Sequence, residues 1–171
     1  KPKLVIISPN DPKAMIAYTK ECQNNSWDYV FDPAFYIPAL SKTDLSMAVK
    51  KAKIVIGNDY EITMLKRKIG KINGATDQIW ITTLGDEGSV IRQKDREWKI
   101  PAAKPRIVVD PTGAGDAYRA GLVAGYIQGL PIEICGKMGS TCAAYTVEKY
   151  GTQTHKFSLN EFQKRYAKNF S

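Results

Sequence analysis

The chain is poor in reactive side chains, with one histidine and three cysteines in 171 residues, and it has no run of ~18 apolar residues long enough to cross a bilayer. The apolar stretch in Lys1-Pro-Lys-Leu-Val-Ile-Ile7 is too short for a signal peptide. A soluble, cytoplasmic protein with no membrane partner is therefore expected. Three cysteines cannot all pair within one chain, and on a single helix Cys135 and Cys142 would stand ~10 Å apart along the axis, out of disulfide reach. They are read as reduced core thiols. His155, with no partner near it in sequence, is read as a surface or packing residue.

Two common phosphate-binding motifs are also missing. A dinucleotide fingerprint needs a third glycine three residues after the second, but Gly115 is followed by Asp116, Ala117 and Tyr118. A Walker A loop needs Ser or Thr after Gly-Lys, and the two such pairs here are Gly70-Lys71-Ile72 and Gly136-Lys137-Met138. The net charge of +8 is scattered, and its densest cluster, Lys66-Arg67-Lys68, has no interleaved stacking aromatics. Nucleic acid is not the expected partner, because attraction of an anionic nucleotide is sufficient use for the charge.

What is present alternates. Apolar, β-branched runs at residues 4–8, 28–32, 53–57, 78–83, 89–92, 96–100 and 106–110 predict strands. Between several of them lie helix-start signals, with Asp11 before Pro12, Ser41 before Asp44, and Asn58 before Glu61. Further helices are expected after Asp116, from Pro131 to a C-cap at Gly151, and from Ser158-Leu-Asn-Glu161 to the end. Strands alternating with helices imply an α/β fold, mainly parallel, with helices on both faces of the sheet. No repeats or linkers appear, so residues 1–171 are read as a single domain. Asp32 closes a strand at the edge where such sheets place ligands, although a strand-ending Asp is more often a turn former.

The stretch Asp110-Pro-Thr-Gly-Ala-Gly-Asp116 joins a strand to a helix through glycines. Successive N–H groups of Gly113, Ala114 and Gly115 can face one point there, and with a helix N-terminus behind them they form an anion hole suited to phosphate. Asp116 has two readings. It is an N-cap, or it is a general base that accepts a hydroxyl proton while the amides hold the phosphoryl group. A loose phosphoryl-transfer transition state asks little of its base, so a low-pKa carboxylate suffices.

The sequence Asp110-Pro-Thr-Gly-Ala-Gly-Asp-Ala-Tyr-Arg-Ala-Gly-Leu-Val123 resembles the C-terminal signature of the PfkB carbohydrate kinases, the ribokinase-like group. Asp32-Pro33, Asn58-Asp-Tyr-Glu61, Thr83-Leu-Gly-Asp-Glu-Gly88 and Gly151-Thr-Gln153 follow the same family's order. The resemblance covers the whole chain, yet members are roughly twice this length, so an N-terminal half with most of the substrate site and a lid is expected to be missing. It implies a ribokinase-like fold and ATP-dependent transfer to a hydroxymethyl group, with Mg²⁺ influenced by Asn58 and Glu61. It also implies a nucleotide site with Thr83, Gly85 and Gly88, an adenine slot near Ser140 and Ala143, and monovalent-cation (K⁺) activation at Asp110 and Thr112. The ending, with Ala144-Tyr145, Glu148, Arg165 and Tyr166, looks most like nucleoside or adenosine kinases; a ribokinase- or fructokinase-like sugar kinase is the alternative. The partners implied are ATP and a nucleoside or sugar, and a homodimer is open for the full-length protein. The start at Lys1, almost inside a strand, suits a fragment of something longer, which by itself is expected to be catalytically silent.

Overall fold

A computed structural model describes residues 1–70 and 77–171; Lys71 and Ile72 of the first Gly-Lys pair lie outside them. The elements run β1 (Val5–Ile7), α1 (Pro12–Asn24), β2 (Tyr29–Phe31), α2 (Lys42–Lys51), β3 (Ile54–Asn58), α3 (Asp59–Ile69), β4 (Ile79–Thr83), β5 (Ser89–Gln93), β6 (Arg96–Ile100), α4 (Ala114–Tyr126), α5 (Ile132–Thr146) and α6 (Leu159–Phe170). The strands are hydrogen-bonded in the order β1-β2-β3-β4-β5-β6. The chain divides into two compact units, one of Lys1–Leu84 with Arg92–Glu97 and one of Gly85–Ile91 with Trp98–Ser171.

In the first unit β1 to β4 are parallel, with Val5 beside Tyr29, Val30 beside Ile54, and Ile54 beside Ile79. Parallel neighbours require crossovers, and right-handed crossovers between strands in consecutive order place α1, α2 and α3 on one face. The helices start where their caps predict. Asp11 accepts the N–H groups of Lys13 and Ala14 at 2.9 and 3.1 Å, and Ser41 Oγ accepts that of Asp44 at 3.0 Å. Met15, Leu45, Val49 and Leu65 from the helices form one buried core with Ile7, Phe31 and Val55 from the strands. Val30, Ile54, Ile56 and Ile81, on the alternate side of the pleat, are buried as well. That double burial is why these strands read as unbroken apolar runs. Asp32 acts as the turn former: its Oδ1 accepts the Ala34 N–H at 3.1 Å.

Lys94 and Asp95 alone join β5 to β6, and a two-residue connection can only join antiparallel strands. The sheet is therefore mixed rather than wholly parallel.

In the second unit α4 and α5 approach closely through small residues. A Cβ at Gly121 would lie 2.7 Å from Met138 O, and one at Gly139 would lie 2.6 Å from Tyr118 O. These glycines cost helix propensity, and the contact their absent side chains allow offsets that cost. α6 lays Phe162, Tyr166 and Phe170 in a ladder that continues from Tyr145 and Phe157, with neighbouring ring centroids 4.4–6.4 Å apart. Arg165 joins it, buried, with its guanidinium 3.8 Å from the Tyr145 ring centre and Nη1 2.8 Å from Glu148 Oε1.

Two expected boundaries are corrected. Residues 106–110 are not a strand. Among the described residues no strand pairs with them, and Ile107, Val108 and Val109 are 61%, 65% and 50% exposed. The N–H groups of Val109 and Asp110 instead converge on Val147 O at 2.7 and 3.2 Å, which pins the segment to the end of α5. β-branched residues favour extended backbone, but a strand also needs a ladder partner. Helix α5 ends at Thr146, not at Gly151, which lies in the bend beyond it with φ +86°.

Candidate active site

The glycine turn is assembled inside the second unit. Asp110 Oδ1 accepts the Thr112 N–H at 2.8 Å, and Oδ2 accepts the Gly151 N–H at 3.0 Å. Hydrogen bonds from the Thr112 hydroxyl and from these two amides hold the Asp110 carboxyl below the ordinary carboxylate range. Gly113 follows in the left-handed region, φ +83°, where a Cβ would come within 3.0 Å of Thr152 Cβ. The Gly151-Thr-Gln153 stretch is thus the wall against which the turn is pressed.

Helix α4 begins at the next residue, with Gly113 as its N-cap and no side-chain capping bond. Asp116 is consequently the third residue of the helix and not its cap, because the left-handed turn at Gly113 starts the helix three residues earlier than an Asp cap would. Ala114, expected among the phosphate donors, spends its N–H on Pro111 O at 3.1 Å to close the turn. Among the described residues the N–H groups of Gly113, Gly115 and Asp116 have no acceptor. These are donors left over at a helix start, at the positive end of its dipole. A Cβ at Gly115 would meet nothing within 4 Å, so the turn is open on the side that a side chain there would occupy.

The Asp116 side chain is 71% exposed, and its Oδ1 is ion-paired with Nη2 of Arg119, whose own side chain is only 11% exposed. Burial pushes the Arg119 guanidinium below its usual value. Sequence reading missed Arg119, although its spacing of three residues from Asp116 on one helix was the signal for an ion pair.

In the first unit, Asn58 and Thr83 are register partners closing the C-terminal edge of β3 and β4, the edge where open α/β sheets bind ligands. Asn58 and Glu61 form a complete capping box: Asn58 Oδ1 accepts the Glu61 N–H, and Glu61 Oε2 accepts the Asn58 N–H, both at 2.8 Å. A Cβ at Gly57 would lie 3.0 Å from Glu61 Oε2, so the glycine gives the carboxylate room to fold back. Among the described residues no three His, Cys, Asp or Glu side chains gather into a metal site.

Gly85 and Gly88, in the second unit, differ from each other. Gly85 has φ +61° and open space around it, while a Cβ at Gly88, φ +94°, would sit 2.1 Å from Ile100 O. Ser140 is buried, and its hydroxyl is used twice, accepting the Ala103 N–H at 2.7 Å and donating to Pro101 O at 3.1 Å. Ala143 is partly exposed. His155 Nδ1 is 3.4 Å from the Thr146 hydroxyl, and its ring stacks near Phe157. The three cysteines are free, and burial pushes the Cys135 and Cys142 thiols up to about 11.

A parallel α/β unit and a glycine turn opening a helix fit a ribokinase-like fold, and the solved relatives show that fold. The nucleoside kinase of Burkholderia thailandensis in complex with ADP-inosine superposes with a TM-score of 0.92 at 30% identity, over 98% of this chain and 54% of its own. The model of the pfkB family carbohydrate kinases matches residues 3–158, and the chain belongs to that family. Among curated relatives, the nucleoside kinase of Methanocaldococcus jannaschii is 34% identical over 157 residues, 90% of this chain and 51% of the relative. That of Methanothermobacter thermautotrophicus is 39% identical over 140 residues, 80% of this chain and 45% of the relative. The chain thus spans about half the length of the curated relatives it matches.

Proposed function

We propose that this chain is the ATP-binding portion of a PfkB nucleoside kinase, transferring the γ-phosphoryl group of ATP to a hydroxymethyl group of a nucleoside such as adenosine or inosine. The observation that carries the reading is the exposed Asp116 carboxylate beside amides without acceptors, at a helix start that needs no cap from it. The acceptor hydroxyl gives its proton to Asp116 as its oxygen bonds to phosphorus. The bond from phosphorus to the β,γ-bridging oxygen breaks, and ADP leaves with that electron pair. The N–H groups of Gly113, Gly115 and Asp116 receive the phosphoryl oxygens.

The remaining roles are extensions of that reading. Thr83 and Gly85 contact phosphate and ribose, while Gly88 holds their loop against the backbone at Ile100. With the Ser140 hydroxyl engaged, Ala143 offers the small surface for adenine. Asn58 and Glu61 would hold Mg²⁺ through water; Glu61 Oε1, outside the capping box, has no protein partner among the described residues. When bound, the ion neutralises phosphate charge. Asp110 and Thr112 are the proposed monovalent-cation ligands. A sugar acceptor is the second reading, favoured by the carbohydrate-kinase family that the chain matches.

The 171-residue chain alone is proposed to turn over no acceptor, because about half of each relative lies outside the match. The test is a chimaera in which this chain replaces the matched half of the M. jannaschii nucleoside kinase, assayed by ADP release with adenosine, inosine, ribose and fructose. Turnover with nucleosides alone supports the reading. Turnover with sugars alone replaces it by the second, and robust turnover by the isolated chain overturns the claim of an inactive portion.

A further inference from the structure

We infer that Glu148 is a positioning residue for the glycine turn, an inference that rests on that turn being the phosphoryl site. Residues 106–110 lead into the turn, and among the described residues no strand pairs with them. The stretch that follows α5 clasps them instead. Glu148 Oε1 accepts the Arg106 N–H at 2.5 Å, Val147 O accepts those of Val109 and Asp110, the Gly151 N–H reaches Asp110 Oδ2, and Gly113 lies against Thr152. Between the two acceptors, the N–H groups of Ile107 and Val108 have no partner among the described residues. Val147 gives a backbone carbonyl, which any residue would supply. Glu148 gives a side chain, so its identity decides whether the far end of the segment is held.

Glu148 is itself fixed. Its side chain is 11% exposed and that of Arg165, on α6, 8% exposed. The guanidinium meets both carboxylate oxygens, with Nη1 2.8 Å from Oε1 and Nη2 3.1 Å from Oε2, while lying over the Tyr145 ring. Burial pushes the Glu148 carboxyl up, but Arg165 and the Arg106 amide outweigh it and hold the group below the ordinary carboxylate range. The acceptor for the Arg106 N–H is therefore charged, and such a bond is roughly twice as strong as a neutral one. α6 grips the same segment one turn of chain earlier, where Asn169 Oδ1 accepts the Lys104 N–H at 2.8 Å. Without Glu148, the next backbone anchor after Lys104 is the Val147 carbonyl at Val109, directly before the turn. Slack there displaces the phosphoryl donors, and a misplacement of about 1 Å can cost on the order of 10²-fold in rate.

Two double variants separate this grip from the stability of the ion pair, because replacing a buried pair by uncharged groups of similar size is often neutral for stability. Arg165→Met with Glu148→Gln keeps an acceptor for the Arg106 N–H, and Arg165→Met with Glu148→Met does not. In the 171-residue chain labelled with ¹⁵N-glycine, the amide shifts of Gly113, Gly115 and Gly151 are expected to stay near their wild-type values in the first variant and to move in the second. The urea midpoints of the two are expected to agree. In the chimaera, the second variant is expected to have a kcat about 10-fold or more below that of the first, with KM for the nucleoside nearly unchanged. Glycine shifts alike in both variants, or equal kcat in both, would overturn the inference and leave Glu148 as a seat for α6 alone. If Asp116→Asn leaves turnover of the chimaera intact, the reading of the site fails separately, and the glycine shifts still decide whether Glu148 sets the turn.

Discussion

Helices α3 and α4 each start directly after a segment predicted to bind phosphate or its metal, and each carries an acidic residue at its third position. They solve the problem of a helix start in opposite ways. At α3 the Asn58 and Glu61 side chains satisfy each other's backbone N–H groups, and the reciprocal box needs nothing from outside. At α4 the cap is Gly113, which has no side chain to offer, and the acidic residue points into solvent and toward a buried arginine. The same sequence cue, a polar residue with an acid near a helix start, therefore marks a structural device in one place and available donors in the other. What separates them is the left-handed glycine, which shifts the helix start and strips Asp116 of its capping role.

Substitutions can break this contrast, and the largest stability effect is expected at Gly113. Gly113→Ala forces a side chain into φ +83° and against Thr152, and should destabilise by about 1–3 kcal/mol in urea unfolding. Asn58→Ala removes a cap that is in use and should cost about 1 kcal/mol by the same measurement. Gly115→Ala sharpens the comparison, since the new methyl meets no atom within 4 Å and should stabilise α4 by up to about 0.5–1 kcal/mol. In the chimaera the same methyl occupies the open side of the turn, and calorimetry should show ADP affinity falling even as stability rises. The smallest effect is acid-dependent. The Asp110 carboxyl is held below its ordinary value by Thr112 and Gly151, so its contribution is complete above about pH 4 and is lost as pH falls through the lowered value. Amide protection at Gly151 should decline in that acidic window, while protection at Leu45, in the core of the first unit, persists.

Much of the first unit was legible because its cues are local. Asp11 before Pro12, Ser41 before Asp44 and Asn58 before Glu61 each mark a helix start to the residue, and doubly buried strands appear as apolar runs. The second unit was less legible, because long-range contacts decide it. Residues 106–110 have strand composition without a strand partner, and the Val147 carbonyl that captures them lies far along the chain. The small face of α5 read equally well as helix packing or as an adenine slot. Tyr118 at Gly139 and the double use of the Ser140 hydroxyl show how much of it is packing, which a list of small residues cannot reveal.

The contrast between the two helix starts is tested most directly by measuring kcat/KM and the urea midpoint of the chimaera with Asp116→Asn. A base that does no capping predicts a loss of about 10³-fold or more in kcat/KM, with the midpoint lowered only as far as loss of the Arg119 ion pair lowers it. Unchanged turnover accompanied by a lowered midpoint would contradict it, and would return Asp116 to the role that Glu61 plays at the head of α3.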